Sequence, residues 1–167
     1  PASAPFSDVS YDNPYFNQIL DLYKRRGVEG YEDGCFKPNS KISRAEFVKI
    51  ALGVTNCFDC SNPSAVIRQH FAGHPPFPDV NLIDWFYYCI SIAKELGMVT
   101  GYGDGFFRPE RYFSRAEAAA ILLRQSSIET VKAPDDVFRD VPTYAWYKDY
   151  VYKAVEIGLI KNNLGFV

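Results

Sequence analysis

Apolar residues recur at helical spacing in three separate segments of the chain. The first segment contains Phe16, Ile19, Leu20 and Tyr23, and the two later ones contain Phe86, Cys89, Ile90 and Ala93, then Tyr147, Tyr150, Val151 and Ala154. Steps of three and four residues place these side chains on one face of an amphipathic helix. No segment alternates apolar and polar residues over a useful strand length, so the pattern predicts a mostly α-helical protein.

A short signature, Phe-x-Asp-Val, precedes each of these predicted helices. It begins at Phe6, Phe77 and Phe138, so the copies are spaced 71 and 61 residues apart. A glycine at position 27, 97 or 158 follows each helix, where a left-handed residue commonly ends a helix. The recurrence indicates that the chain is built from repeats.

Two of the copies continue into a second shared pattern, Gly-Tyr-x-Asp-Gly-x-Phe-x-Pro, at residues 30–38 and 101–109. Glycine permits a positive φ, and an aspartate side chain can accept hydrogen bonds from the backbone that follows it. The proline then keeps the chain extended before another helix can start. The pattern therefore predicts a tight bend.

The same two copies then carry Ser-Arg-Ala-Glu, at residues 43–46 and 114–117. Ser43 and Ser114 can accept a hydrogen bond from the N–H of the third residue of a following helix, while Glu46 and Glu117 can accept one from the N–H of the cap residue. This capping-box pattern predicts that a second helix begins at each site.

The motifs divide the chain into three repeats with connecting segments. We assign residues 1–5 to a linker, 6–55 to repeat 1, 56–76 to an insertion, 77–126 to repeat 2, 127–137 to a linker and 138–167 to repeat 3. Repeat 3 is expected to be incomplete, because no Ser-Arg-Ala-Glu occurs before Val167. The insertion has a helix signal of its own at residues 62–65.

The charge balance excludes some classes of partner. The 167 residues include 18 basic and 20 acidic side chains, a net charge of −2. A sequence-independent nucleic-acid binder needs a clustered positive excess, so no nucleic-acid partner is expected. No apolar run reaches the roughly 20 residues of a membrane span.

Taken in order, the three linked motifs resemble the S-layer homology module of bacterial cell-surface proteins. The resemblance implies a pseudo-threefold arrangement of helix–loop–helix repeats around a central helical bundle. It also implies non-covalent anchoring of an extracellular protein to an anionic secondary cell-wall polysaccharide, often one that bears pyruvate ketals, with no cofactor.

In that family the arginine of the capping motif lies in grooves between repeats and contacts the acidic sugar, which makes Arg44 and Arg115 the leading ligand-binding residues. The chemistry is suitable, because an arginine one residue into a helix presents planar donors beside outward-pointing N–H groups. The alternative is that both arginines pair with local carboxylates while Ser43, Glu46, Ser114 and Glu117 only cap helices. Tyr31 and Tyr102 are expected either to stack on sugar rings or to fill the crevice between repeats.

The four cysteines support two readings. Cys57 and Cys60, with His70 and His74, give C-x2-C-x9-H-x3-H, which resembles a zinc ligand set with a shortened spacer. Alternatively, Cys35, Cys57, Cys60 and Cys89 form up to two disulfides, as the extracellular location favours. Sequence cannot choose among the three possible pairings of four cysteines.

An enzymatic role is not expected, because both histidines lie in the insertion and no Gly-x-Ser-x-Gly element is present. The alternative function is a structural subunit of a surface layer or filament, which would assemble with other copies or with other surface-layer proteins. An unfinished third repeat would leave the apolar face around Tyr147, Tyr150 and Val151 in need of a cover.

Overall fold

Six α-helices account for the regular structure of the computed structural model, which describes residues 4–56, 60, 62–126, 128–135 and 137–161, with only the backbone given at 55 and 56. Within these ranges the only β-pairing is an isolated antiparallel bridge between Ser43 and Tyr112. The helices are α1 (Phe16–Lys24), α2 (Arg44–Asn56), α3 (Ala65–Phe71), α4 (Tyr87–Glu95), α5 (Arg115–Gln125) and α6 (Lys148–Glu156). The mostly helical fold is confirmed.

The helices pack across repeat boundaries. Helix α2 of repeat 1 lies against α4 of repeat 2, and α5 of repeat 2 lies against α6 of repeat 3. Val48 and Leu52 of α2 share one buried cluster with Ile90 of α4, while Leu123 of α5 packs on Ala154 of α6. Each repeat is therefore completed by its neighbour, as expected of units that cannot bury their apolar faces alone. The pseudo-threefold arrangement stays a prediction.

The first helix of each repeat (α1, α4 and α6, called the entry helices) ends in the same hydrogen-bonded turn, but a different residue type takes the left-handed position in repeat 1. Gly97 and Gly158 have φ values of 69° and 74°, whereas the equivalent position in repeat 1 is Arg26, at 59°. The expectation that Gly27 fills this role is therefore wrong. Gly27 instead permits close helix packing, because a Cβ there would lie 2.6 Å from the Cγ2 atom of Val54 in α2.

The aspartate of Phe-x-Asp-Val holds the glycine-rich bend in place. The Asp8 carboxylate accepts hydrogen bonds from the backbone N–H groups of Phe36 and Lys37, both 2.7 Å long. Asp79 accepts the equivalent bonds from Phe107 and Arg108, at 2.9 and 2.6 Å. Each carboxylate thus joins the start of its repeat to the far end of the bend.

The phenylalanine of the same signature explains the first glycine of the bend. The Phe6 ring lies so close to Gly30 that a Cβ on this glycine would be 2.4 Å from a ring carbon. In repeat 2 the ring of Phe77 approaches Gly101, where the corresponding distance is 2.8 Å. Side chains larger than glycine do not fit at either site, so the two motifs form one packed unit in each repeat.

The insertion is attached to α4 by a covalent bond and a hydrogen bond. Cys60 forms a disulfide with Cys89 of α4. The Tyr87 hydroxyl of α4 donates to the carbonyl of Phe71, at the end of α3. Helix α3 begins after Ser64, whose side chain accepts from the Ile67 N–H, as its local sequence predicts.

This disulfide answers part of the cysteine question. Cys60 is bonded to Cys89 and is therefore not available as a zinc ligand. The hypothesis of a zinc site formed by Cys57, Cys60, His70 and His74 is therefore wrong. His70 instead pairs with Glu95 at 2.9 Å. Cys35 is a free thiol, and Cys57 lies outside the described residues.

Candidate functional site

Two grooves lie at successive repeat boundaries. Groove 1, with a volume of about 970 Å³, is lined by residues 27–33, 36–38, 40–42, 46, 49, 50 and 85. Groove 2, with a volume of about 360 Å³, is lined by Arg44, residues 99–103, Glu117, Ile121, Arg124 and Trp146. Both volumes fall within the range of ordinary ligand pockets.

The two grooves are equivalent places in the repeat. Tyr31, Glu46 and Ile50 of groove 1 lie 71 residues before Tyr102, Glu117 and Ile121 of groove 2. Each groove also has a tryptophan from the following repeat, Trp85 or Trp146, and each indole is about half exposed. A groove is therefore formed by the bend and second helix of one repeat and by the tryptophan that lies just before the first helix of the next.

Arg44 lies at the floor of groove 2, although it belongs to repeat 1. It is only 5% exposed, and its Nη1 atom is 2.6 Å from Oε1 of Glu117 in repeat 2. Its Nε donates to the carbonyl of Phe107 at 2.9 Å, and the guanidinium stacks on the rings of Tyr102 and Phe107. The arginine of one capping motif thus pairs with the glutamate of the next, which makes Arg44 a link between repeats.

Backbone N–H groups in the first turn of α2 are also hydrogen-bonded to repeat 2. The backbone N–H groups of Arg44 and Ala45 donate to the carbonyls of Arg111 and Pro109 at 2.9 and 3.0 Å. The expectation of outward-pointing N–H groups beside Arg44 is therefore wrong, because these donors are already bonded. The helix start serves as a docking point between repeats.

Glu117 is the acceptor at the centre of groove 2. One carboxylate oxygen accepts from Arg44 and from the Tyr102 hydroxyl, at 2.6 and 2.7 Å, and the other accepts from the Ser114 N–H. Burial raises the pKa of Glu117, but the hydrogen bonds from Ser114 and Tyr102 and the Arg44 charge outweigh it. The net effect is a lowered pKa, so Glu117 is ionised at neutral pH. The Ser114 hydroxyl completes the capping box by accepting from the Glu117 N–H.

Groove 1 repeats the cap without the arginine. Ser43 and Glu46 form the same reciprocal pair of hydrogen bonds, and the Tyr31 hydroxyl approaches Glu46 at 3.4 Å. No arginine lines this groove among the described residues. Glu46 therefore lacks the ionic partner that Glu117 has.

The two tyrosines have different surroundings. Three guanidinium groups lie within 5.2 Å of the Tyr102 ring centre, those of Arg44, Arg108 and Arg111. Tyr31 has one cation over its ring, the ammonium of Lys37 at 4.2 Å. Tyr31 is the more open of the two rings, and stacking of either ring on a sugar stays a prediction.

Arg115, the second predicted arginine, does not line either groove among the described residues. It is half-buried, and its Nη2 atom donates to the carbonyl of Lys161 in repeat 3 at 3.2 Å. Like Arg44, it reaches forward to the next repeat. Direct ligand contact by Arg44 and Arg115 stays a prediction.

Arg124 was not identified from the sequence, although it lines groove 2. A signal was present: Glu117, Ile121 and Arg124 are spaced by four and three residues, so they share one face of α5. The equivalent residue of α2 is Gly53, which packs against Gly27. The two repeats therefore differ at a groove position that no motif covers.

Comparison with known proteins identifies the repeats. The family model for the S-layer homology domain matches residues 5–48 and 76–119, more than half of the chain. Among the described residues, no helix has the length and apolar character needed to cross a membrane.

Several curated proteins are similar to this chain over most of its length. Cell surface glycoprotein 1 of Acetivibrio thermocellus is 27% identical over 87% of the chain, and the S-layer protein sap of Bacillus anthracis is 25% identical over 95%. The cellulosome-anchoring protein of Acetivibrio thermocellus is 28% identical over 72%.

The chain spans only 6%, 18% and 26% of these three relatives, so it corresponds to a small part of each. The family and these relatives indicate a cell-surface location. On the strength of the two matched repeats, the chain belongs to the S-layer homology domain family.

Proposed function

We propose that this module anchors its protein to the cell wall by binding an acidic wall polysaccharide, without covalent chemistry, in the grooves between repeats. The observation that carries the proposal is the pair of equivalent grooves, each lined by a half-exposed indole and a tyrosine. Aromatic rings with polar edges suit sugars, which have apolar faces and hydroxyl rims. One relative is named a cellulosome-anchoring protein, which supports the anchoring role.

The electrostatics of groove 2 are consistent with an acidic ligand. Arg44 and Arg124 line it against a single carboxylate, Glu117, so the lining has a surplus of one positive charge. A guanidinium is the side chain best suited to a carboxylate, because its donors match both oxygens.

The test is a binding assay on purified cell walls. We expect saturable binding to walls that carry their polysaccharide and loss of binding to walls from which hydrofluoric acid has removed it. Equal retention on both preparations would contradict the proposal.

A variant with Trp85→Ala and Trp146→Ala should lose wall binding while it stays folded, since both indoles are about half exposed. Tyr144→Ala is the matched control, because this aromatic is 90% exposed and lines neither groove among the described residues. Unchanged wall binding by the folded double variant would place the ligand elsewhere.

Assembly into a surface layer is the second candidate function. Ile83 and Tyr144 are 93% and 90% exposed, and each lies three residues after the valine of a Phe-x-Asp-Val signature. Exposed apolar side chains at equivalent positions suit protein–protein contact. Native mass spectrometry separates the two roles. Assembly is favoured if the chain forms oligomers and the double variant Ile83→Ser, Tyr144→Ser does not. Anchoring is favoured if the chain is a monomer that binds walls.

We propose that the module itself carries no enzymatic activity. One relative is named an amylopullulanase, from Thermoanaerobacterium thermosulfurigenes, and the similarity covers 8% of its length. An activity assay of this chain on starch and pullulan should therefore give only the rate of the buffer control.

A further inference from the structure

The geometry points to unequal grooves: groove 2 is the acidic-sugar site, and Arg124 is the side chain that pairs with the sugar carboxylate. This inference rests on the proposed function and adds which groove and which residue recognise the charge.

The charge of Arg44 is already compensated within the protein. Its guanidinium is paired with Glu117 at 2.6 Å and bonded to the carbonyl of Phe107. A ligand carboxylate would have to compete with this buried pair, and separating such a pair is costly. Arg44 therefore shapes the floor of groove 2 and supplies little charge to a ligand.

Arg124, by contrast, contacts only neutral groups in the described part of the chain. Its Nε donates to the Tyr150 hydroxyl at 3.2 Å, and its Nη1 lies 3.5 Å from Oγ1 of Thr100. The guanidinium also lies 5.3 Å from the Trp146 ring centre and 5.0 Å from that of Tyr150. These contacts orient a positive charge on the groove wall without neutralising it.

Those two hydrogen bonds use two of the five N–H donors of the guanidinium. The remaining donors can form a two-pronged contact with a carboxylate. Trp146 is within stacking distance of the same guanidinium, so a sugar placed against the indole would bring its acidic group beside Arg124.

Groove 1 has the opposite net charge. Its lining has four carboxylates, those of Glu29, Glu32, Asp33 and Glu46, against three lysines. Two of the lysines, Lys37 and Lys49, are paired with Asp33 and Glu29. Gly53 stands where groove 2 has Arg124, so this groove offers no arginine to an acid.

The experiment uses the full chain and two probes, a methyl hexopyranoside that bears a pyruvate ketal and the same glycoside without the ketal. We expect calorimetry to show at least tenfold tighter binding of the ketal. Arg124→Gln should remove this preference, and Arg124→Lys should retain part of it. Arg25→Gln is the matched control, because Arg25 is an exposed arginine paired with Asp21 and lies outside the linings of both grooves.

A second pair of variants tests the choice of groove even if Arg124→Gln fails to fold. Trp146→Ala should weaken ketal binding at least tenfold, whereas Trp85→Ala, the equivalent change in groove 1, should change it less than twofold. An equal effect of the two tryptophan variants, or full ketal preference in folded Arg124→Gln, would overturn the inference.

The wall-binding assay keeps this inference separate from the proposed function. Saturable wall binding without any preference for the ketal would overturn the acidic-site inference and leave anchoring intact. If the wild-type chain does not bind walls, both the proposed function and the acidic-site inference are overturned.

Discussion

Groove 1 and groove 2 are built from the same motifs, and yet they differ in charge. Both have the bend tyrosine, the capping glutamate and the tryptophan of the following repeat. In groove 2 the glutamate is paired with an arginine from the preceding repeat, and a second arginine lies on the wall. In groove 1 neither arginine is present among the lining residues.

The difference shows that the motif residues and the residues that determine groove charge are largely different residues. The motif residues mostly hold the bend, the cap and the helix entry together, and they recur unchanged. The charge of each groove depends on Arg124 or Gly53, which no motif specifies, and on what the preceding repeat contributes. A repeat protein can therefore keep one frame and vary its binding sites independently.

The largest effect should come from the glutamate of groove 2. We expect Glu117→Gln to lower the free energy of unfolding by about 3–5 kcal/mol, because it leaves the buried Arg44 charge without its partner. The equivalent Glu46→Gln should cost about 1 kcal/mol, since Glu46 has no arginine partner among the described residues. Urea unfolding measures both, and equal losses would mean that the Arg44 pair is not what distinguishes the grooves.

Removal of the disulfide should give the next largest loss in the free energy of unfolding, and the loss should be concentrated around α4 and the insertion. It joins α4 to the insertion across 29 residues, for which chain entropy predicts roughly 3–4 kcal/mol. Cys60→Ser with Cys89→Ser should therefore lower stability by that amount, measured by urea unfolding.

Hydrogen exchange would locate this effect. Amide protection should fall more in α4 than in α6, because the bond is made to α4. A uniform loss in both helices would indicate that the two sides of the molecule unfold as one unit.

A smaller effect should follow from removing the carboxylate that holds the bend of groove 2. We expect Asp79→Ala to cost about 2 kcal/mol, since it leaves two backbone N–H groups of the bend without their charged acceptor. Asp104→Ala should cost clearly less, because its ion pair with Arg108 is exposed to solvent. Thermal unfolding of both variants checks this order.

The smallest effect should be the acid sensitivity of the Glu117 pair. The pKa of Glu117 is lowered in the folded chain from its ordinary value of 4.5. Its contribution is therefore fully present above pH 4.5 and is lost as the pH falls through the folded-state pKa. We expect stability to decline over this interval, and we expect Glu117→Gln to remove the part of the decline that comes from this pair. Unfolding measured at a series of pH values tests it.

Local elements were the most predictable part of the fold. The 3.6-residue period located α1, α4 and α6, and the capping signals located the starts of α2 and α5, because both depend on neighbouring residues only. The exception is instructive. Gly27 was expected to end α1, but Arg26 adopts the left-handed conformation. Gly27 instead packs closely against Val54 of α2.

The site was less predictable, because its contacts join residues far apart in the chain. Arg44 looked accessible at a helix start, yet the bend and α5 of repeat 2 bury it. Arg124 belonged to no motif, and its position in groove 2 depends on contacts with Trp146 and Tyr150 of repeat 3. The partner of Cys60 was equally open, since spacing alone does not bring Cys89 beside it.

By itself, the sequence determined that this is a helical repeat protein with a capped second helix in two repeats and a family resemblance that the comparisons confirm. Hydrophobic period, caps and turns are local, so the order of residues is enough to reveal them. Only the tertiary structure decided that Arg44 forms an ion pair with Glu117, that Cys60 bonds to Cys89, and that the two grooves differ in charge. Each of these depends on packing one repeat against the next, where burial and distance select partners that spacing along the chain cannot specify.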